Sequence, residues 1–335
     1  MAGIIFSESS GVNDSVFGKS QAPIKMIIEK SGEAYEQESI VKELFNMETS
    51  SNYAEKITSM TAMDGFKPVG ENGEYPKDHM QEGFSKTLEH VEWKDSFAIS
   101  KAMVQDSKIL DLKKRPEAFM AGFGRTRERF GAALFGGAIS GKGSVEFAGR
   151  KFDTTSADGV NLFSTAHKSK LNKGSQSNMF SDEFSKDALA AMECKMQDFR
   201  GENGEILDVT PDLILIPNDY LLKKAVFEAV GADKDPNTAN NGFNFLFGRW
   251  TIVVWNYLNQ FITAGSKPWV LGSSKYNKSN MGAVWFDRQP LEITSYIDNN
   301  NGSNCWNGDA RFSAGFNDWR AYAVGGAENG TTLLA

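Results

Sequence analysis

Cysteine and histidine are scarce in this chain, whose 335 residues include two of the first and three of the second. Cys194 and Cys305 fit no metal or redox spacing, so we expect small unpaired thiols and no disulfide. His79, His90 and His167 cannot be matched with nearby Cys, Asp or Glu at the spacing of a metal site. The sequence therefore predicts no catalytic residues, no cofactor and no metal site.

Long apolar runs are also missing from the chain. No run of about 18 apolar residues occurs, so the sequence predicts no membrane span. The first residues lack the basic and apolar stretches of a signal peptide, and we expect a protein that stays in the cytosol where it is made. With 40% hydrophobic and 12% aromatic residues, the chain can nevertheless build a large core, in one domain or two.

A basic excess is absent as well, because the formal net charge is −7. This argues against a free-standing nucleic-acid-binding protein. The charge is unevenly distributed: residues 29–95 carry 15 acidic residues and 7 lysines, whereas residues 101–175 carry 14 basic and 7 acidic residues. Such asymmetry suits molecules that tile against copies of themselves, since complementary patches can set their register. Ordinary solvated faces are the alternative explanation.

Three sequence patterns resemble known binding motifs, but each lacks a residue that the motif requires. Residues 136–142 come close to a phosphate-binding loop, but Gly143 stands where a magnesium-binding Ser or Thr belongs. Residues 233–237 and 298–302 begin like calcium loops without a glycine where such a loop turns. We interpret all three as turns. A triad built on His167 is the one enzymatic alternative, and it predicts a stable monomer that loses turnover in His167→Ala.

The first half of the chain predicts an arm, a hairpin and a long helix. Residues 1 to about 50 are polar with scattered apolar anchors, which is typical of an arm that needs another surface. Residues 57–99 predict a two-stranded hairpin whose returning strand runs from Val91 to Ile99. A helix is predicted from Pro116 to about residue 136, with an apolar stripe on one side and a basic opposite face. A shorter helix is expected ahead of it, from Asp106 to Leu112.

The second half mixes helices and strands without the regular rhythm of a βαβ fold. A helix capped by Ser181 is predicted to end at Gly201. Leu213–Ile216 predicts a buried strand, and a helix opened by Pro217 follows it to Gly231. Short tryptophan-rich strands, whose tryptophans we expect in the core, complete the chain. This order of elements predicts an α+β fold.

Four stretches, taken together, resemble one known family. They are residues 158–167 (Asp-Gly-Val-Asn-Leu-Phe-Ser-Thr-Ala-His) followed by Ser177-Asn178, residues 211–217 (Pro-Asp-Leu-Ile-Leu-Ile-Pro), residues 267–272 (Lys-Pro-Trp-Val-Leu-Gly) and residues 311–320 (Arg-Phe-Ser-Ala-Gly-Phe-Asn-Asp-Trp-Arg). In this order and spacing the chain resembles the major capsid proteins of tailed bacteriophages, whose fold is called Hong Kong 97-like. It is most similar to the Mu-like head subunits, from about residue 40 to Gly326.

The resemblance implies a division of the chain into named segments. They are an N-terminal arm (1–56), an E-loop hairpin (57–99), a peripheral domain (100–180) with a spine helix at about 116–136, an axial domain (181–305), and a return to the peripheral domain with a C-terminal tail (306–335). In such a molecule the acidic hairpin lies on a neighbouring subunit, and the arm has a partner surface.

The function implied by the resemblance is structural and not enzymatic. Copies of the chain assemble as pentamers and hexamers of an icosahedral head that encloses double-stranded DNA. Portal, scaffold or decoration proteins and non-specific contact with the packaged DNA are the further partners implied. The location is the virion capsid, with assembly and procapsid maturation in the host bacterial cytoplasm. An encapsulin-type compartment shell, which shares the fold but encloses enzymes, is the nearest alternative.

Eight residues are the candidate contacts between subunits. Five lie on the loop of the hairpin: Phe66, Lys67, Pro68, Tyr75 and Pro76. Three lie on the basic face of the long helix: Arg125, Arg127 and Arg129. For the basic residues of this helix, a solvated or self-pairing face and a weak, sequence-independent contact with DNA remain open.

Overall fold

The computed structural model of the protein describes residues 5–8, 18–60, 66–71, 73–77, 82–106, 109–171, 174–231 and 244–334. Its helices are α1 (Gly18–Gln37), α2 (Val41–Leu44), α3 (Lys101–Gln105), α4 (Ile109–Ile139), α5 (Lys186–Gln197), α6 (Tyr220–Val230) and α7 (Ser274–Asn280). Its strands are β1 (Ile5–Glu8), β2 (Asn46–Thr49), β3 (Ala54–Met60), β4 (Glu82–Glu89), β5 (Val91–Ile99), β6 (Ser144–Phe147), β7 (Arg150–Asp153), β8 (His167–Lys168), β9 (Ser175–Gln176), β10 (Leu213–Pro217), β11 (Thr251–Trp255), β12 (Trp269–Gly272), β13 (Ala283–Ile297), β14 (Asn304–Phe316) and β15 (Tyr322–Gly325). The predicted α+β class is confirmed.

The larger sheet has five strands and is built around the hairpin of β13 and β14. β14 pairs antiparallel with β13 on one side and with β5 on the other. β1 and β2 pair parallel with the two halves of β13. The ladder between β13 and β14 is irregular from Asp287 to Glu292. Such irregularities bend a strand, so they change the direction of the side chains that lie in the middle of the sheet.

The smaller sheet has four strands in the order β11, β10, β12, β15. All five residues of β10 are buried, as expected for a strand covered on both faces, and the predicted buried strand is confirmed. Trp255 and Trp269 of this sheet and Trp285 of the larger one are fully buried. These three tryptophans are therefore core residues, as predicted, whereas Trp250, which was also expected in the core, is half-buried.

The long helix α4 joins the two sheets. Its 31 residues correspond to a length of about 46 Å. The ring of Phe135 lies 5.2 Å from the ring of Phe316 in the larger sheet and 5.3 Å from that of Tyr322 in the smaller one. Both sheets and α4 therefore share one hydrophobic core.

The start of this helix differs from the prediction. Instead of a short helix from Asp106 to Leu112, α3 ends at Gln105 and α4 begins at Ile109, so Pro116 lies inside the helix. Proline removes one hydrogen bond within a helix but does not always end it. Since residues on both sides of Pro116 continue the helix, its ring marks an interior turn rather than the first one.

The hairpin also differs from the prediction. β3 pairs with β4, and the expected returning strand, Val91–Ile99, pairs instead along β14. Its aromatic residues explain the difference, since Trp93 stacks on Phe312 and Phe97 stacks on Trp306, each with 5.0 Å between ring centroids. The apolar alternation that predicted the hairpin belongs to a strand of the core sheet.

The cap of α5 is Ser185 rather than Ser181. The Ser185 hydroxyl accepts a hydrogen bond from the backbone N–H of Ala188, at 3.0 Å. The carboxylate of Asp182, which follows Ser181, accepts from the backbone N–H groups of Leu333 and Leu334. The segment 181–184 therefore ties a distant part of the chain to the core and does not begin the helix.

The described part of the arm covers its own subunit, which the sequence did not predict. α1 packs along α4, and Ile24 and Ile28 are buried there.

The segment 306–335 is divided between the two sheets, because β14 belongs to the larger sheet and β15 pairs with β12 in the smaller one. This segment is thus not a simple return to one domain.

Candidate assembly surfaces

The end of the hairpin is the most exposed apolar part of the described chain. All described residues from 66 to 77 are exposed, and the exposed fractions of Phe66 and Tyr75 are 111% and 94%. Lys67, Pro68 and Pro76 lie on the same loop. Large apolar side chains in water mark a surface that another molecule can cover. All five predicted contact residues of the loop are therefore accessible in a single copy.

Two lysines fix the strand β4 of the hairpin to its own subunit. Lys86, which is 9% exposed, pairs with Asp153 and donates to the carbonyl and hydroxyl of Thr155 at 3.0 and 2.8 Å. The Nζ of Lys170 donates to the carbonyls of Glu82 and Gly83, at the end of β4 next to the loop, at 2.9 and 2.6 Å. The strand is thus held to the subunit up to its loop end, and the loop beyond it is accessible.

The contact with Lys86 affects the pKa of the carboxyl group of Asp153. Burial alone would raise its pKa, but the hydrogen bonds from Lys86 and from Thr155 outweigh that effect, and the pKa of Asp153 is lowered. The carboxylate of Asp153 is therefore charged at neutral pH, and its contact with Lys86 holds the middle of β4 against the end of β7.

The three arginines of α4 do not share a face. Arg125 and Arg129 are exposed, whereas Arg127 is buried. Arg127 forms two parallel hydrogen bonds with Asp287, at 3.0 and 3.1 Å, and its guanidinium lies 4.8 Å from the ring centroid of Trp285. The prediction that Arg127 contacts another subunit is therefore wrong, because its charge is neutralised inside its own subunit.

A glutamate of α4 connects the arm to the smaller sheet. One carboxylate oxygen of Glu128 accepts from the hydroxyl of Ser39 at 2.7 Å and from the backbone N–H of Val41 at 3.4 Å. The other oxygen accepts from the indole N–H of Trp255 at 3.1 Å. Glu128 therefore positions the end of the arm relative to β11.

His167 lies at the centre of a buried cluster made by two of the four stretches that carried the family resemblance, the first and the last. Its Nδ1 is 2.7 Å from a carboxylate oxygen of Asp158, and its Nε2 is 3.1 Å from the Oδ1 of Asn178. Its ring stacks on Trp319 at 4.3 Å. The amide nitrogen of Asn178 donates to three backbone carbonyls, so its Oδ1 is the atom that faces the histidine.

This arrangement does not suit a catalytic histidine. Both ring nitrogens are already engaged, Nδ1 by the carboxylate of Asp158 and Nε2 by the Oδ1 of Asn178. Burial tends to raise the pKa of Asp158, but hydrogen bonds from His167, Ser156 and Val160 lower it overall. Because the side chain of His167 is 0% exposed, no substrate can reach it. The triad alternative therefore loses its structural basis, and the cluster acts as an internal clasp.

A second buried network lies beside this clasp. Arg320 donates to Asp318 at 3.2 Å and to Glu202 at 2.9 Å. Burial, followed by the charge of Asp318, raises the pKa of Tyr276, whose hydroxyl donates to Asp318. The second oxygen of Glu202 accepts from the backbone N–H of Lys170. Since the Lys170 side chain binds β4, the network links the segments that follow α5 and β14 to the loop end of β4.

His90 occupies the single position between β4 and β5. Its Nε2 lies 2.9 Å from the hydroxyl of Ser50, which donates its own hydrogen to Glu55. Its Nδ1 lies 3.1 Å from the hydroxyl of Ser313. A neutral ring with hydrogen on Nε2 satisfies this network. Burial is the main cause that lowers the pKa of His90; Arg311 and Arg288 add to it, and Glu55 opposes it.

The lowered pKa of His90 predicts a loss of stability on acidification. A histidine with a lower pKa in the folded chain than in the unfolded chain stabilises the fold above the ordinary value of 6.5, and this contribution is lost as the pH falls below it. We expect the melting temperature of the wild type to fall more steeply between about pH 8 and about pH 5 than that of His90→Gln. Thermal scans of the unassembled subunits measure this, and parallel curves for the two chains would refute it.

The remaining sequence patterns lie in ordinary turns or outside the described residues. Residues 136–142 form the end of α4 and the turn after it, and residues 298–302 connect β13 to β14. The pattern at 233–237 falls outside the described residues. Within the described ranges no cluster of His, Cys, Asp and Glu could hold a metal ion. No helix in the same ranges has the length and apolarity needed to span a membrane.

Sequence reasoning missed Lys86, Lys170 and Glu128. The position of Lys86 carried a signal, because it lies two residues before Leu88 and therefore on the same inward face of β4. A lysine on the apolar side of a strand usually has a buried partner. Lys170 and Glu128 carried no such signal, since their partners are distant in the sequence.

Comparison with known proteins gives one match that spans most of this architecture. A sequence model of a phage capsid protein family matches residues 86–325, from within β4 to the end of β15. No curated protein sequence matches the chain.

Several solved structures are similar to the chain. One is from Mycobacterium phage Patience, with 12% identity, a TM-score of 0.48 and coverage of 100% of this chain and 99% of that one. Another is from Microbacterium phage Oxtober96, with 10% identity, a TM-score of 0.48 and coverage of 86% and 90%. A third is described as the capsid of Myoviridae phage XM1, with 10% identity, a TM-score of 0.48 and coverage of 85% and 90%.

Proposed function

The chain belongs to the phage capsid protein family, and on this premise we propose that it is the major head subunit of a tailed phage. Copies assemble as pentamers and hexamers of an icosahedral shell that encloses double-stranded DNA. The family match over residues 86–325 carries this proposal. The exposed apolar end of the hairpin supports it, because a projecting loop with Phe66 and Tyr75 in water gains stability when a neighbouring copy covers it.

The division of labour within the subunit follows from the two sheets. We propose that the five-stranded sheet and α4 form the peripheral domain, with α4 as the spine helix. The four-stranded sheet with α5 and α6 forms the axial domain. β3, β4 and the loop between them form the E-loop. The strand β4, fixed by Lys86 and Lys170, then sets the direction in which the loop reaches toward a neighbour.

The partners beyond the chain itself are proposed on the same premise. Portal and scaffold or decoration proteins complete the head, and the packaged DNA makes contacts that do not depend on its sequence. The exposed Arg125 and Arg129 suit either contact with phosphates or contact with a neighbouring subunit. The protein resides in the virion capsid and assembles in the cytoplasm of its bacterial host.

Sedimentation and negative-stain microscopy of the purified chain test this function. We expect capsomers or uniform closed shells, because the exposed loop and the complementary charged regions favour association. A monomer that persists under all salt and protein concentrations would overturn the proposal. Nucleic acid in shells isolated from infected cells agrees with a phage head, whereas a cargo enzyme would identify an encapsulin-type compartment instead.

A further inference from the structure

A polar cleft of about 630 Å³ lies beside the buried network of Arg320. One of its walls is the strand β3, at residues 57–59. The other walls are the segment after α5, between residues 201 and 210, the helix α7 and the segment after β14. Pockets that bind small molecules have volumes of about 300–1,000 Å³. The cleft therefore has the size of a site for a small molecule.

The formal charges that line this cleft do not balance. Four carboxylates and two cations line it: Glu202, Glu205, Asp208, Asp318, Lys275 and Arg320. Arg320 pairs with both Glu202 and Asp318, so it neutralises one charge of the two. Lys275 is exposed at the start of α7 and opposes one more negative charge. The cleft thus has an excess of two negative charges, and it suits a ligand with two positive ones.

Two side chains in the walls carry hydrogen-bond acceptors that have no donor. Both carboxylate oxygens of Glu205 are buried, and neither has a hydrogen-bond partner among the described residues. The same holds for the Oδ1 of Asn317, a residue that is 3% exposed and lines the cleft. The Nδ2 of Asn317 donates to the carbonyl of Asn280 at 3.4 Å, which determines the orientation of the amide. Since buried acceptors in proteins usually have a donor, the cleft suits a ligand that brings N–H groups.

The acceptors of the cleft are not arranged as in a metal site. Calcium and magnesium ions are held by several oxygen ligands that converge on one point. Within the described residues, no three side chains of His, Cys, Asp or Glu are placed to hold a metal ion. Apolar side chains also line the cleft, namely those of Ile57, Leu207 and Met281. A ligand with an apolar chain between two positive ends therefore matches the cleft better than a metal ion does.

We propose that this cleft binds a linear alkyl diamine, a small molecule with two protonated amino groups. One ammonium group pairs with Glu205, which is half-buried and reaches the ligand by rotation of its side chain. The other pairs with the exposed Asp208. Asn317 accepts a further hydrogen bond, and the methylene groups lie on Leu207 and Met281. Because β3 forms one wall, the bound diamine also contacts the first strand of the hairpin.

Calorimetric titration of the unassembled subunit with 1,4-diaminobutane tests this site. Glu205→Gln and Asp208→Asn are each expected to weaken binding by about ten-fold, because each removes the charged partner of one ammonium group. Asparagine also tolerates the positive φ of 49° at position 208. Lys275→Gln is expected to tighten binding by about three-fold, since it removes an opposing cation, and a damaged fold cannot produce a tighter site. Glu183→Gln, at an exposed position outside the cleft, is the matched control and should bind as the wild type does.

Two related compounds and hydrogen exchange test the chemistry and the place of binding. 1-Butylamine should bind at least about ten-fold more weakly than the diamine, and magnesium chloride at matched ionic strength should not displace the diamine. Hydrogen exchange should slow at residues 57–59 and 205–209 when the diamine is added to the wild type. No binding by the wild type, or equal binding by all five chains, overturns the inference, and the latter result identifies a non-specific attraction to an acidic protein. Equal binding of 1-butylamine, or displacement by magnesium, overturns it as well. Since the titrations use unassembled subunits, their outcome does not depend on the proposed shell function.

Discussion

Arg127→Ala is expected to lower the free energy of unfolding of the isolated subunit by about 3–5 kcal/mol. The side chains of Arg127 and Asp287 are only 11% and 9% exposed. Removal of the guanidinium leaves the carboxylate of Asp287 buried without its cation, although the indole N–H of Trp285 still donates to it at 3.0 Å. The substitution also removes the contacts of the guanidinium with Trp285 and Phe312. Denaturant unfolding of the unassembled subunit measures the loss.

Arg125→Ala is the matched control, because it changes the same residue type on the same helix at an exposed position. We expect a change of no more than about 0.5 kcal/mol in the free energy of unfolding. Equal losses in the two variants would show that the ion pair with Asp287 does not stabilise the subunit. A large loss in Arg127→Ala alone would identify this pair as the fastening between α4 and β13.

Deletion of residues 65–80 is expected to leave a folded subunit that fails to close shells. The described residues of this loop are exposed in the single copy, so their removal takes little from the core. Circular dichroism should show a melting temperature close to that of the wild type. Sedimentation should show less than about a tenth of the wild-type yield of closed shells, because the loop supplies the apolar contact between copies.

A substitution that preserves the length of the loop distinguishes the effect of its length from the effect of its side chains. Replacement of Phe66, Val69 and Tyr75 by serine keeps the limbs but removes their exposed apolar side chains. We expect nearly the same loss of shells as in the deletion. Normal shells after the deletion would refute the assignment of this loop to a contact between subunits. Normal shells after the serine substitutions alone would assign the contact to the backbone and the charges.

Local sequence patterns predicted the structure correctly where the composition of a segment already indicates that it is buried. The strand at Leu213–Ile216 and the helix that ends before Gly231 were predicted correctly, since an unbroken apolar run and a glycine stop are visible without knowledge of any partner. The start of that helix shifted, because Asp219 accepts from the backbone of Leu222 as its cap and Pro217 ends the preceding strand. Such shifts of a few residues arise from side-chain contacts that periodicity does not show.

Pairing over long distances could not be predicted from local patterns. The alternation from Val91 to Ile99 predicted a strand correctly, but the partner of a strand depends on residues far along the chain, here β14. The same limit applies to His167, whose neighbours Asp158 and Asn178 are nearby in sequence while Trp319 is not. Two of the four stretches that supported the family resemblance, residues 158–178 and 311–320, meet in this buried clasp, whereas the other two contain β10 and β12.

The error at Arg127 has a geometric cause that the sequence already contained. Residues four apart in a helix share a face, whereas residues two apart point in nearly opposite directions. Arg125 and Arg129 therefore lie together, and Arg127 lies on the side of the core. Applied strictly, helical spacing predicts two surface arginines and one buried arginine, which then requires an acidic partner.

The connection between Leu44 and the last strand bears on how the subunit is made. The carbonyl of Leu44 accepts hydrogen bonds from the side chains of Asn277 and Tyr322, which follow it by 233 and 278 residues. β14 and β15 complete the larger and the smaller sheet, respectively, with β15 at one edge of its sheet. During synthesis, neither sheet can be completed until these strands have left the ribosome, and contacts between residues so far apart in sequence slow folding. Each sheet thus gains its complete surface only after residues 304–325 have been synthesised and have folded onto it.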